Sequence, residues 1–224
     1  MSSCIGNNIC ISPQGEEITE TKTFNKVSEL RHDFSGDLTI HISDDLAAPY
    51  AEVTGSKNLV NNLKFKERND KLIIEEDRCI RTSSDIHIHL FLSSLNDIDL
   101  NGSGSIYSAD TLRGNSLNVD LDGSGEIDLV ADVNLLEAEI NGSGDIMLSG
   151  KATRLEYEVR GSGEIDGYDL QAEKGKVNFS GSGSCKVNVS DELNAEISGS
   201  GNIYCIGNPS LSSNVTGSGS INKF

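Results

Sequence analysis

The chain has 224 residues, enough for one elongated domain or two small ones. Aromatic residues make up only 5% and Trp is absent, which argues against a large globular core, while 23 Gly against 3 Pro point to tight turns inside regular structure. A formal net charge of −17 excludes nucleic acid as a partner, because phosphate binding needs Lys and Arg to displace counterions, and it opposes approach to an anionic membrane surface.

Residues 1–20 read as a polar tail. No basic region followed by an apolar stretch is present, so no complete secretory signal is visible, and no apolar run is long enough to cross a bilayer. The chain nevertheless begins Met1-Ser2-Ser3-Cys4. Small residues before a cysteine are what remains of a bacterial lipoprotein signal at its cleavage site, which makes Cys4 a candidate for lipidation and the tail a candidate linker to a lipid anchor. The alternative is an exposed cysteine in a frayed tail.

Residues 21–92 carry β-forming segments without a strict period. Phe34-Ser35-Gly36-Asp37-Leu38-Thr39-Ile40 reads as a corner followed by an alternating strand, and Glu52-Val53-Thr54-Gly55-Ser56 as a degenerate corner. Leu72-Ile73-Ile74 and Ile86-His87-Ile88-His89-Leu90 are further strands, and 57–66 admits a short helix. This part forms either irregular coils or a small β-cap, and a cap is physically needed because an open terminal coil exposes unpaired backbone.

From residue 93 onward a repeat dominates. Gly-Ser-Gly begins at Gly102, Gly123, Gly142, Gly161, Gly181, Gly199 and Gly217, at intervals of 21, 19, 19, 20, 18 and 18 residues. That period is too short for a helical hairpin and suits one coil of a β-solenoid. Four residues after each first Gly stand Ile106, Ile127, Ile146, Ile165, Cys185, Ile203 and Ile221. Two before it stand Leu100, Leu121, Ile140, Val159, Phe179, Ile197 and Val215. Four before it the residues are Ile98, Val119, Ala138, Tyr157, Val177, Ala195 and Ser213. Apolar residues at every second position define strands with one buried face. Equivalent side chains of successive coils then pile up, with coils about 4.8 Å apart and seven of them making a rod roughly 30 Å long. The Gly-Ser-Gly corner supplies backbone conformations closed to other residues, and its Ser column can form a hydroxyl ladder. A phosphate cradle would need a helix start and a basic residue, and neither follows any of the triplets.

At this point a family resemblance emerges. It is carried by Ile197-Ser198-Gly199-Ser200-Gly201-Asn202-Ile203-Tyr204, by Gly207-Asn208-Pro209, and by Val215-Thr216-Gly217-Ser218-Gly219-Ser220-Ile221. Thr19-Glu20-Thr21, Phe24 and the Ser35-Gly36-Asp37-Leu38 corner extend it over about 16–224. In these residues the chain resembles the head-domain family of auto-transporter adhesins, bacterial surface proteins of unknown function. The resemblance implies an all-β, right-handed parallel β-helix, export to the cell envelope and a role in adhesion. It carries no catalytic residues.

The outward face of the strand before each corner holds the most suggestive polar side chains. Asp97, Asp99, Asp120, Glu137, Glu139, Glu156 and Glu158 fall on four consecutive coils as a candidate acidic binding strip. Two unit charges about 4.8 Å apart repel by close to 1 kcal/mol even in water. A cation such as calcium, a basic partner or nearby lysines would relieve the repulsion. The competing explanation, and the favoured one, is a solvated face that keeps a flat sheet soluble. The stretch 123–129 is only superficially like a calcium-binding β-roll repeat, since two of seven equivalent positions, Asp128 and Asp166, hold a carboxylate. No metal or other cofactor is expected on these grounds. His87 and His89 share a strand face beside Asp85 but lack a third ligand, and His32 and His41 stand alone. Cys185 and Cys205 read as small core residues, and Cys10 and Cys79 can pair in an exported chain.

The function that follows is a non-enzymatic surface or periplasmic protein of the cell envelope, binding a glycan or protein through the faces of a β-helix. One rival is a carbohydrate-active β-helix enzyme, which needs carboxylates grouped in a cleft. A purely structural protein that self-associates as a homo-oligomer is the other. A left-handed-helix acyltransferase would need an apolar residue every six positions, and that period is absent.

Overall fold

The computed structural model describes residues 10–81 and 86–224, so Cys4 and Asp85 lie outside the described residues. The N-terminal elements are β1 (Glu17–Thr23), β2 (Glu29–Asp33), β3 (Asp37–Ile42), β4 (Tyr50–Ser56), α1 (Lys57–Val60), β5 (Leu63–Arg68), β6 (Lys71–Glu76) and β7 (Ile86–Leu92). The repeat region holds β8 (Asp97–Gly102), β9 (Ser105–Ser108), β10 (Leu112–Gly123), β11 (Glu126–Gly142), β12 (Asp145–Gly161), β13 (Glu164–Gly181), β14 (Ser184–Gly199), β15 (Asn202–Ile206), β16 (Ser210–Gly217) and β17 (Ser220–Lys223).

Two walls of parallel strands meet at the Gly-Ser-Gly corner and make a parallel β-helix. On the wall that precedes the corner, one inward column runs Leu72, Leu30, Ile98, Val119, Ala138, Tyr157, Val177, Ala195, Ser213. On the wall that follows it, the column runs Ile88, Leu38, Ile106, Ile127, Ile146, Ile165, Cys185, Ile203, Ile221. Ile127, Ile146 and Ile165 are wholly buried, one directly above another. Burying an aliphatic side chain of this size contributes about 1.5–3 kcal/mol, so the columns are the main source of cohesion. The interior phase breaks once more between the corners, since Val133 and Leu136 are both buried although three positions apart. The chain turns there from one wall to the other.

The corners are held by backbone. From Ser124 onward the Ser N–H of each corner donates to the first Gly carbonyl of the coil beneath, as in Ser143 to Gly123 at 2.9 Å and Ser162 to Gly142 at 2.8 Å. The expected ladder of hydroxyls is therefore replaced by a ladder of amides, because the left-handed first Gly (φ +132° at Gly161) turns its carbonyl toward the next coil.

Irregularities in the columns compensate one another. Tyr157 fills a position held by Ala or Val in the flanking coils, and it fits because its hydroxyl faces Gly167, where a Cβ would lie 2.8 Å from the Tyr oxygen. Gly175, standing where Leu155 and Leu193 lie above and below, likewise leaves room for those leucines.

The N-terminal region supplies two more layers and a cap, and its layers are not stacked in chain order. β2 lies between β6 and β8, and β3 between β7 and β9. After β3 the chain leaves the rod, builds β4, α1 and β5, returns as the last parallel layer, β6–β7, and then crosses back to β8. β4 runs antiparallel to β7 and β1 antiparallel to β4, which extends one wall; β5 runs antiparallel to β6 on the other. The helix expected over 57–66 is confined to Lys57–Val60; a turn at Asn61 and Asn62 follows, and from Leu63 the stretch is strand β5. Asn69 and Asp70, both with positive φ, make the tight hairpin into β6 that fixes this outcome. His32 does not stand alone: it is wholly buried in the column beside Leu100, with its Nε2 2.8 Å from the Gly36 carbonyl. Burial lowers its pKa to about 4, so the ring is neutral and its Nε2–H donates that bond. Cys10 and Cys79 form a disulfide, while Cys185 and Cys205 are buried and free.

Candidate functional site

The seven acidic residues singled out above all lie on the outward face of the wall that precedes the corner. Asp97, Glu137 and Glu156 share one row with Asn118 and Lys176, and Asp99, Asp120, Glu139 and Glu158 form the row beside it. Strand alternation puts them there, because Ile98, Val119, Ala138 and Tyr157 between them turn inward. A shallow cavity of about 280 Å³ opens between the rows, lined by Asp120, Glu137, Glu139, Glu156, Glu158 and Lys176 among others.

Both ends of the strip are neutralised by cations that are not part of the acidic rows. Lys71, on β6, reaches Asp99 at 2.8 Å and Asp97 and Glu29 at 3.5 Å. Partial burial works against its charge, but the hydrogen bond to Asp99 and the two carboxylates hold the ammonium above its ordinary pKa. At the other end Arg160 binds Glu139 and Glu158, and Arg154 lies 3.3 Å from Glu156. Asp120 sits between these clusters with no ion pair among the described residues. Partial desolvation, then the charges of Asp99, Glu139, Asp97 and Asp122, push its carboxyl up to about 6.

A carboxyl raised in the folded state favours folding fully below its unfolded pKa, about 4, and loses that contribution as pH rises through its folded value. Asp120→Asn is therefore expected to raise the melting temperature at pH 7.5, to change it little near pH 4, and to flatten the profile between. Melting curves across that range check it, and an unchanged profile refutes the crowding.

A second feature lies near the other turn of the coil. A trough of about 520 Å³ runs across successive coils between two rows of outward side chains. One row is Asp132, Lys151, Gln171 and Asn188, in register on adjacent strands, and the other includes Asn134, Thr153 and Glu173. Between them the inward column steps from Val133 to Ala152 and Ala172, and these small residues lower the floor. The side chains of Lys151, Thr153 and Gln171 make no hydrogen bond or ion pair with other described residues, so their bonding capacity is unspent.

The outer face of the following wall carries a further acidic group, Glu126, Asp128, Asp145, Glu164 and Asp166, partly neutralised by Lys186 at 2.6 Å from Glu164 and 2.7 Å from Asp166. His41 Nε2 lies 3.0 Å from His89 Nδ1, and His41, Phe91 and Tyr50 stack across three strands. His87 pairs in register with Asp37 and Thr54 rather than acting with His89. Among the described residues no three His, Cys, Asp or Glu side chains converge to hold a metal ion, and no helix is long and apolar enough to cross a membrane.

The sequence profile of the family described as putative auto-transporter adhesin, head GIN domain, matches residues 29–209. The chain belongs to this family. Solved structures share the adhesin-head fold along nearly its whole length. A putative adhesin from Bacteroides fragilis NCTC 9343 superposes with a TM-score of 0.89 at 23% identity, covering 96% of this chain and 100% of that one. A putative lipid binding protein from Parabacteroides distasonis ATCC 8503 gives 0.80 at 28% identity over 96% and 99%. A putative adhesin from Parabacteroides merdae ATCC 43184 gives 0.72 at 21% over 96% and 98%. No curated protein matches the chain. In this adhesin head the two grooves lie on different parts of the rod, and each runs across several successive coils.

Proposed function

We propose that this adhesin-family head is a non-enzymatic protein of the cell envelope that binds an extended glycan along the side of its rod. The trough over Val133, Ala152 and Ala172 carries the reading. Its size falls in the range of ligand sites, small residues set its floor, and its mainly polar rims offer unspent donors and acceptors in Lys151, Thr153 and Gln171. That combination suits the hydroxyl edges of a sugar chain, and the net charge of −17 favours a neutral one. Catalysis at this trough is not part of the reading.

The test is a screen of neutral and anionic oligosaccharides, matrix proteins and phospholipid vesicles, with and without calcium. Vesicles belong in it because one structural relative is called a lipid binding protein. Neutral oligosaccharide binding that is independent of calcium and weakened in Lys151→Ala/Gln171→Ala supports the proposal, and no binding to any probe sinks it. A calcium ion or a basic partner on the acidic strip is the second reading, favoured by the unneutralised Asp120. An unchanged melting temperature in millimolar calcium removes its metal version. For localisation, Cys4 is the proposed point of lipid attachment to the outer membrane, checked by intact mass of membrane-derived protein.

A further inference from the structure

The two ends of the rod are built on opposite principles. At the N-terminal end the edge strands carry charge: Glu17, Glu20 and Lys22 on β1, and Lys64, Lys66, Glu67 and Arg68 on β5. Such charges keep an exposed sheet edge from pairing with another. α1 packs on β1 and β4, and the disulfide ties the cap together. At the other end β16 pairs with β14 alone and β17 with β15 alone, so each has one open edge. Neither guard is present there. β16 reads Ser-Leu-Ser-Ser-Asn-Val-Thr-Gly, without a charge, and every residue of it is exposed.

Charge and hydrophobicity single out the same surface. The 35 acidic residues end at Glu196, and Lys223 is the sole charged side chain in 197–224. Lys223 is itself folded back, donating to Asn208 Oδ1 at 2.7 Å and to the Pro209 carbonyl at 3.1 Å. Five large apolar side chains are exposed among the described residues; three of them, Leu211, Val215 and Phe224, lie in this last layer, and Ile206 ends β15 one layer below. Leu211 is 43% and Val215 42% exposed at positions that coils below use for the core.

We infer that this end is a self-association surface that receives a second copy of the chain end to end, β16 pairing with its counterpart about a two-fold axis. A two-fold contact needs a patch complementary to itself, and a strand edge meets that need, because a two-fold sets the two β16 strands antiparallel with the open N–H and C=O groups of both in reach. The charge distribution selects a like copy. Two rods of net charge −17 repel wherever their acidic walls meet, and the end without acidic side chains is where they approach at least cost. Leu211 and Val215 of each copy then gain the cover that their equivalents inside the rod receive from the next coil.

Light scattering on the size-exclusion peak of the whole chain tests this. The expected result is a mass twice 24.0 kDa, falling toward 24.0 kDa on dilution. Leu211→Lys/Val215→Lys places like charges in the contact and is expected to raise the dissociation constant by about a hundredfold or more. Both side chains are already exposed, so circular dichroism should show the fold intact; Phe224→Lys probes the same face should the double variant lose structure. A wild type that is monomeric at every concentration overturns the proposal, whether a foreign strand or further chain covers the edge instead. A dimer indifferent to all these changes, or a mass that keeps growing with concentration, overturns it as well.

Discussion

Gly161→Ala is expected to destabilise the protein by about 3 kcal/mol or more, from the sum of two separable costs. The first is conformational: Gly161 has φ +132°, in a region that residues with a Cβ rarely adopt. The second is steric. A Cβ at this position would lie 2.1 Å from the carbonyl oxygen of Gly142 in the coil beneath, and that oxygen cannot withdraw because it accepts the Ser162 N–H at 2.8 Å. Gly102 isolates the first cost. It has φ +120° but nothing within 4 Å of its would-be Cβ, since it stands above the irregular Phe34–Gly36 corner rather than another Gly-Ser-Gly. Gly102→Ala should therefore lose only about 1–3 kcal/mol. Denaturant melts of the two variants beside wild type provide the measurement. Equal losses would mean that the glycines are needed for their backbone angles alone, and the stacking argument for the corner would fail.

That comparison also shows why so much of the fold could be read from one dimension. A column such as Ile127, Ile146, Ile165 forms because adjacent coils repeat one another, so contacts distant in the chain fall at a near-constant offset. A period in sequence is then a contact map. Where the offset fails, legibility fails with it. β6 lies beside β2 although some forty residues separate them, and nothing periodic connects the two. The neutralisation of Asp97 and Asp99 by Lys71 depends on that unsequenced layering, and so do the burial of His32 beside Leu100 and the contact of His41 with His89. Arg160 was open to view one residue before its corner, but pairing it with Glu139 requires knowing that a side chain at that position leans toward the coil beneath. The acidic strip was visible because charge follows the same offset as the core. The trough was not, because its floor is marked only by a change from Val133 to Ala152 and Ala172, and alanine is informative only once its column is known.

Removing the disulfide is expected to loosen the cap before it unfolds the rod. Cys10 and Cys79 are 69 residues apart, and closing a loop of that length in the unfolded chain corresponds to about 4 kcal/mol in the chain-entropy model, with measured losses more often about 2–4 kcal/mol. What the bond secures is a thin segment. Ile11 pairs with Ile80 through two backbone hydrogen bonds, Ile11 N–H to the Cys79 carbonyl and Arg81 N–H to the Ile11 carbonyl, and Asn58 donates to the Ser12 carbonyl at 2.9 Å. Ile11 is only partly buried, so burial alone gives this segment little hold. In a solenoid, stability is close to a sum of neighbouring layers, and loss at one end need not propagate. Cys79→Ser should therefore speed hydrogen exchange in residues 10–23 and 50–56 while the columns from Ile98 to Ile197 keep their protection. Cys185 and Cys205 do not confuse the experiment, since both are buried and burial raises their thiols above the usual range. Identical exchange in the oxidised protein and in Cys79→Ser would show that the cap is held by β1, β4 and α1 alone, whereas loss of protection through every layer would show that the rod melts as one unit and that the layer-by-layer picture is wrong.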